Sequence, residues 1–149
     1  MNTVDVQNEQ EVLPIDAGVI EEWAHRILEI LGRDGIELSV VLIDNARIRE
    51  LNREYLGRDN PTNVISFPQQ EGEAVVGSHL GDVVISVEKA FEEASDAGID
   101  PQGRIRQLLV HGICHLTGYN HEDVPEDKAL EMEAAEEWVL SLLEAPAPG

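Results

Sequence analysis

A chain of 149 residues, 42% of them hydrophobic, is one ordinary domain with enough apolar material for a core. Thirty acidic residues against ten basic ones give a formal net charge of −20, which argues against a generic nucleic-acid binder held by a basic surface; an acidic surface is also what a salty cytoplasm imposes, since at about 1 M salt the screening length falls to about 3 Å. The single cysteine excludes an internal disulfide, and no stretch has the make-up of a leader or the length of a membrane span, so a cytoplasmic protein with no membrane partner is expected.

Residues 3 to 12 predict a first strand, weakened by Asn8 and Gln10. From Asp16, a plausible N-cap, Ile20, Trp23, Ala24, Ile27, Leu28 and Leu31 recur at helical spacing until Gly32 to Gly35 stop the helix. His25, on this helix, reads as a surface or hydrogen-bonded histidine. Leu38 to Ile43 is a dense β-branched and aliphatic run, consistent with a buried strand. Asp44 or Asn45 caps a second helix with Ile48, Leu51 and Tyr55 as its inner stripe, Arg47, Arg49 and Arg53 outward, and Gly57 at its end.

Asp59 to Asn63 is a loop by composition, delivering a short strand, Val64 to Phe67, closed by Pro68. Residues 69 to 78 are polar, glycine-bearing and expected to be mobile. Leu80 to Ser86 reads as a strand able to pair with 64–67 across them, and a helix over 87–97 ends at Gly98. Asp100 and Pro101 open a helix whose stretch from Leu108 to Leu116 is apolar nearly all round, and therefore buried. In a final helix Leu130, Ala134, Trp138 and Leu142 are expected to face the core and the glutamates to face solvent. Residues 1–144 thus form one domain, and 145–149 a disordered tail.

The chemistry concentrates between His111 and His121. His111 and His115 lie one helical turn apart, so their imidazoles project from one face and can converge on one ion. Gly118 lets the chain turn back and bring in His121 as a third ligand. Three imidazoles suit zinc, with copper, nickel and iron behind it, and leave a fourth tetrahedral position open. The spacing is that of the long zincin signature H-E-x-x-H-x-x-G-x-x-H, but Gly112 stands where the glutamate general base belongs, which weighs against a metallopeptidase. Cys114 is either a fourth ligand of a structural zinc or, the preferred reading, a small buried apolar residue beside the site.

With these pieces in order the sequence resembles the YbeY family of bacterial rRNA maturation factors, single-domain metal-dependent endoribonucleases. The resemblance rests on Asp59-Asn60-Pro61-Thr62-Asn63-Val64-Ile65-Ser66-Phe67-Pro68, on Leu80-Gly81-Asp82-Val83-Val84-Ile85-Ser86 and on His111 through His121. It implies an α+β domain, a small mixed sheet against several helices with a zincin-like metal helix. It also implies one zinc per chain held by His111, His115 and His121, and cleavage of single-stranded RNA, not DNA, during maturation of the small-subunit rRNA 3′ end and ribosome quality control. The partners it implies are the small ribosomal subunit and its assembly factors.

Two positions depart from the family pattern. Leu56 stands where an arginine usually follows the aromatic residue, and Asn120 where an aspartate usually precedes the last histidine. Arg58 is the candidate to take over the phosphate clamp, which makes Arg58, His111 and His115 the expected catalytic set. Asn63 and Asp82 are candidates for positioning substrate, with turn and strand-end roles as the alternative; Thr62 and Ser66 are expected to serve local hydrogen bonding. The non-enzymatic rival is a zinc-stabilised ribosome assembly factor.

Overall fold

The computed structural model describes residues 1–60, 62–68, 79–117 and 126–144, and in the last stretch the side chains of 133–143. Among these residues the order is β1 (Thr3–Asn8), α1 (Ala17–Ile30), β2 (Glu37–Ile43), α2 (Asn45–Leu56), β3 (Val64–Pro68), β4 (His79–Ser86), α3 (Val87–Ala97), α4 (Pro101–Leu116) and α5 (Glu126–Glu144). The sheet runs β1-β2-β4-β3; β1 and β4 flank β2 in parallel, and β3 pairs antiparallel with β4, the pairing expected across residues 69–78. Those ten residues, Gly118 to His121 with the acidic Glu122 and Asp123, and the tail 145–149 lie outside the described residues.

Strand alternation divides the core in two. Leu38, Val40 and Leu42 of β2 and Val83 and Ile85 of β4 belong to the larger cluster, which α1, α4 and α5 complete with Ile27, Leu28, Leu109, Ile113, Val139 and Leu143. Ile43, Ile65 and Val84 face the other way, against Ile48 of α2. Strands covered on both faces are apolar without a break, which is why β2 and the second half of β4 stand out in the sequence.

The helix starts follow capping chemistry. Asp16 accepts from the Gly18 N–H at 2.9 Å, Asp44 from the Arg47 N–H at 2.9 Å and Ser86 from the Lys89 N–H at 3.2 Å, each such cap being worth about 1 kcal/mol. Asp100 precedes Pro101 at the start of α4 without a side-chain cap bond. Gly81 sits at φ 149°, and a Cβ there would lie 2.4 Å from the Phe67 carbonyl oxygen, so the β3–β4 pairing needs glycine at this position.

Three expectations are corrected. β1 stops at Asn8 because Gln10 turns inward, donating from Nε2 to the Leu13 carbonyl at 2.8 Å and accepting from the Leu13 N–H at 2.9 Å. Tyr55 is not core; it is 66% exposed, and Asn52 is the buried residue of that turn, donating from Nδ2 to the Asn60 carbonyl at 2.9 Å. Among the described side chains of α5 the buried positions are Val139 and Leu143, whereas Ala134, Trp138 and Leu142 point outward. The end of α5 is held there by Arg26, whose guanidinium donates to the carbonyls of Leu142 at 2.9 Å and Leu143 at 3.3 Å. The side chain of Leu130 lies outside the described residues.

Candidate functional site

α4 lies directly against the sheet at Gly112. A Cβ there would come 2.7 Å from Val83 Cγ1 and 3.2 Å from Ser66 Oγ, so the position has no room for a side chain. Ser66 Oγ donates to the Gly112 carbonyl at 3.3 Å and fastens the helix to β3. The glutamate of the zincin signature would point into the sheet here, against Val83, and not into a cavity. That geometry removes the peptidase base for a packing reason.

Close packing on one side of α4 sets the histidines on another. His111 and His115 are half-buried, their ring centroids 6.3 Å apart and their planes at 77°. Both line a cavity of about 370 Å³ walled by Asn52, Leu56, Arg58, Asn60, Thr62 and Ser66, together with Val64 and Ile65. The far end of α4 is held by Arg33, which donates to the Thr117 carbonyl at 3.0 Å. A second cavity, also of about 370 Å³, lies on the other side of His111 and is lined by Asn63, Arg104, Gln107 and three glutamates of α5. His111 therefore stands between two clefts.

The expected site residues divide accordingly. Arg58 shares the first cavity with both histidines, and so does Leu56, the position where the family pattern has arginine. Asn63 lies beside His111 in the second cavity, but its Nδ2 is engaged with both Glu93 oxygens at 3.2 and 3.3 Å and its carbonyl accepts from the Ser86 N–H at 2.9 Å. Asp82 is not brought to the histidines: Val83 and Ile85 face α4, whereas Asp82 and Val84 line a groove on the α2 side with Arg47, Tyr55 and Phe67. His79 reaches Asp82 at 3.7 Å there. Thr62 lines the histidine cavity, and His25 sits near Glu21 at 3.9 Å, remote from this chemistry. His121 and Asn120 lie outside the described residues.

Two residues escaped the sequence reading. Glu136 of α5 places its Oε1 2.7 Å from His111 Nδ1. Asn52 lines the histidine cavity and anchors the loop that carries Arg58, since its carbonyl accepts the Arg58 N–H at 3.2 Å; its Oδ1 is buried with no hydrogen-bond partner among the described residues. A signal for Asn52 existed, because an asparagine between the inward Ile48 and Leu51 and the helix end is where a loop carbonyl needs a donor. No spacing rule links Glu136 to a histidine 25 residues away.

The donor chemistry fits a zinc ion. His111 and His115 offer two imidazole nitrogens from one helix face, and Glu136 behind His111 is the carboxylate partner that metal-binding histidines usually have. Cys114 is wholly buried within the larger core cluster, where burial, with the charge of Glu136 second, pushes its thiol up to about 12.

Comparison with known proteins sets this geometry in context. A family model described as endoribonuclease YbeY matches residues 5–144. Proteins named endoribonuclease YbeY from Geobacter metallireducens and Geobacter sulfurreducens are 46% and 45% identical over 143 residues, 95% of this chain and 95% of each relative. A namesake from Aquifex aeolicus is 44% identical over 125 residues, 83% of this chain and 81% of its own. A solution structure of a Thermotoga maritima protein has the same fold, with a TM-score of 0.62 at 21% identity, covering 100% of this chain and 99% of that one.

Proposed function

The chain belongs to the YbeY endoribonuclease family, and from that premise we propose that it is a zinc-dependent, single-strand-specific endoribonuclease acting in rRNA maturation at the small-subunit 3′ end and in ribosome quality control. The observation that carries the proposal is the convergence of Arg58, His111 and His115 on one cavity. His111, His115 and His121 would hold the zinc, which when bound supplies Lewis acidity toward a phosphoryl oxygen. Arg58 orients the phosphodiester and offsets its charge, and a guanidinium suits that role because it presents several donors in one plane.

The remaining wall is chemically mixed. Asn60, Thr62 and Ser66 offer polar groups, and Leu56 and Val64 offer apolar surface against which an unstacked nucleotide can lie. A duplex would have to give up its stacking to reach the histidines, which supports a single-stranded substrate. Since the net charge is −20, affinity cannot come from a general basic field. Recognition then depends on Arg58 locally and on docking to the small subunit and its assembly factors, the partners this reading assigns.

The test compares zinc-loaded wild type with His115→Ala on a labelled single-stranded rRNA fragment, from low salt to molar KCl. Cleavage by the wild type and its loss in the variant are expected. If metallated wild type cleaves nothing at any salt, while small-subunit binding survives His115→Ala, the protein is an assembly factor and the ribonuclease reading falls.

A further inference from the structure

We propose that Glu136 is a positioning residue for the metal site: its carboxylate holds His111 in one tautomer and one ring orientation, and thereby sets the affinity for zinc. The inference rests on the metal reading above and deepens it. Glu136 is an acid on a helix whose neighbouring glutamates, Glu133 and Glu137, face solvent, yet its own side chain is only 18% exposed and turned toward α4. Its Oε1 lies 2.7 Å from His111 Nδ1, the short end of the range for hydrogen bonds assisted by charge.

The tautomer follows from the donor inventory. A carboxylate only accepts, so the nitrogen facing it must carry the hydrogen. With Nδ1 donating, the lone pair of a neutral imidazole sits on Nε2, and that is the nitrogen that would ligate a metal. The opposite tautomer would set two acceptors against each other at 2.7 Å. Because the ring cannot rotate without breaking this bond, the direction of the Nε2 lone pair is fixed before any ion arrives.

The same bond joins two elements. α5 is seated by Val139 and Leu143 and by Arg26 on its last carbonyls, and Glu136 adds the polar tie to α4 from the middle of the helix. α4 and α5 bracket the stretch of sequence that carries His121. Docking of α5 and orientation of His111 are thus one event, and zinc affinity should report it.

The experiment measures zinc affinity by competition with a chromophoric chelator, at a temperature where circular dichroism shows every variant folded. It uses the wild type, Glu136→Leu, Glu136→Gln and the exposed control Glu137→Gln. Glu136→Leu should bind zinc 10–100-fold more weakly, by roughly the usual effect of removing a ligand's hydrogen-bond partner. Glu136→Gln, whose amide oxygen still accepts from Nδ1, should recover most of that loss, and Glu137→Gln should match the wild type. Glu136→Ala replaces the leucine variant should the latter not fold. Wild-type affinity in the leucine or alanine variant overturns the inference, as does a glutamine variant as weak as the leucine one. The two readings fail separately: normal zinc binding by Glu136→Leu with RNA cleavage intact in the wild type sinks only this one. An ordered affinity series in a protein that cleaves nothing sinks only the ribonuclease.

Discussion

Gly112→Ala adds one methyl group where α4 lies directly against the sheet. The new Cβ would lie 2.7 Å from Val83 Cγ1 and 3.2 Å from both Val83 Cγ2 and Ser66 Oγ. Val83 is wholly buried and β-branched, so it cannot swing aside. Overpacking of this kind costs about 1–3 kcal/mol, and loosening the Ser66 bond to the Gly112 carbonyl adds up to about 1 kcal/mol. Against this, alanine in a helix interior gains about 1 kcal/mol over glycine. The net expectation is a loss of between zero and about 3 kcal/mol, which for a domain of this size lowers the melting temperature by up to roughly 10 °C. Urea or thermal unfolding measures it, and the background Val83→Ala makes it decisive. With both Cγ atoms gone the same glycine substitution should cost at least about 1 kcal/mol less. Gly112→Ala that stabilises the wild type, or costs the same in both backgrounds, refutes the close approach and with it the packing explanation for the missing zincin glutamate.

Gly81→Ala combines a φ of 149° with a Cβ 2.4 Å from the Phe67 carbonyl oxygen, and should cost more than about 2 kcal/mol in urea unfolding; a neutral result would mean that β3 and β4 pair differently. Asn52→Ala removes the donor to the Asn60 carbonyl beneath the loop that carries Arg58. Stability should fall by about 1–3 kcal/mol, and RNA cleavage, assayed well below the melting temperature, should drop further than stability explains. Arg49, bonded to Asp59 at 2.8 Å, holds that carboxyl below the usual carboxylate range. A lowered native value makes the contribution present above about pH 4 and lost as pH falls through the native value. The gap between wild type and Asp59→Asn should therefore exist at neutral pH, close in acid and vanish in molar salt; a gap widening in acid would have the wrong sign. Finally, at a net charge of −20 the unfolding midpoint should rise as KCl approaches molar concentration and self-repulsion is screened, and a flat salt response counts against the saline reading.

Legibility in the sequence followed the strength of local signals. β2, β4 and α1 to α4 could be read because apolar runs, capping residues and glycines mark their ends. α5 could not be oriented: Trp138 with Leu142 and Val139 with Leu143 are both one-turn pairs, and only the packing against α1 and α4 chooses the second. Tyr55 was placed in the core by periodicity, but the same turn had to supply Asn52 to a loop carbonyl. At the site, the spacing of His111 and His115 is written in the sequence, and so is the alternation of Asp82 and Val83. What is not written is which face of β4 the histidine helix α4 covers, and that alone sends Asp82 to the far side. Glu136 is a tertiary contact with no local trace.

The sheet order also governs when the chain can become active. β2 pairs with β1 and β4 in parallel, so both contacts close over intervening helices, the slowest kind of strand pairing to form. The larger core lies between the sheet on one side and α1, α4 and α5 on the other, and α4 lies in the last third of the chain, so part of this sheet face waits for it. On a growing polypeptide that part of the apolar face stays uncovered until residue 116 has emerged, a window in which a chaperone would find its binding surface. The histidines ride on the element that closes this window: α4 alone sets their one-turn spacing, but only its docking on the sheet, fastened by Ser66 on the Gly112 carbonyl, brings the cavity wall with Arg58 to them. The cavity shared by Arg58, His111 and His115 therefore exists only in a chain whose larger core has closed.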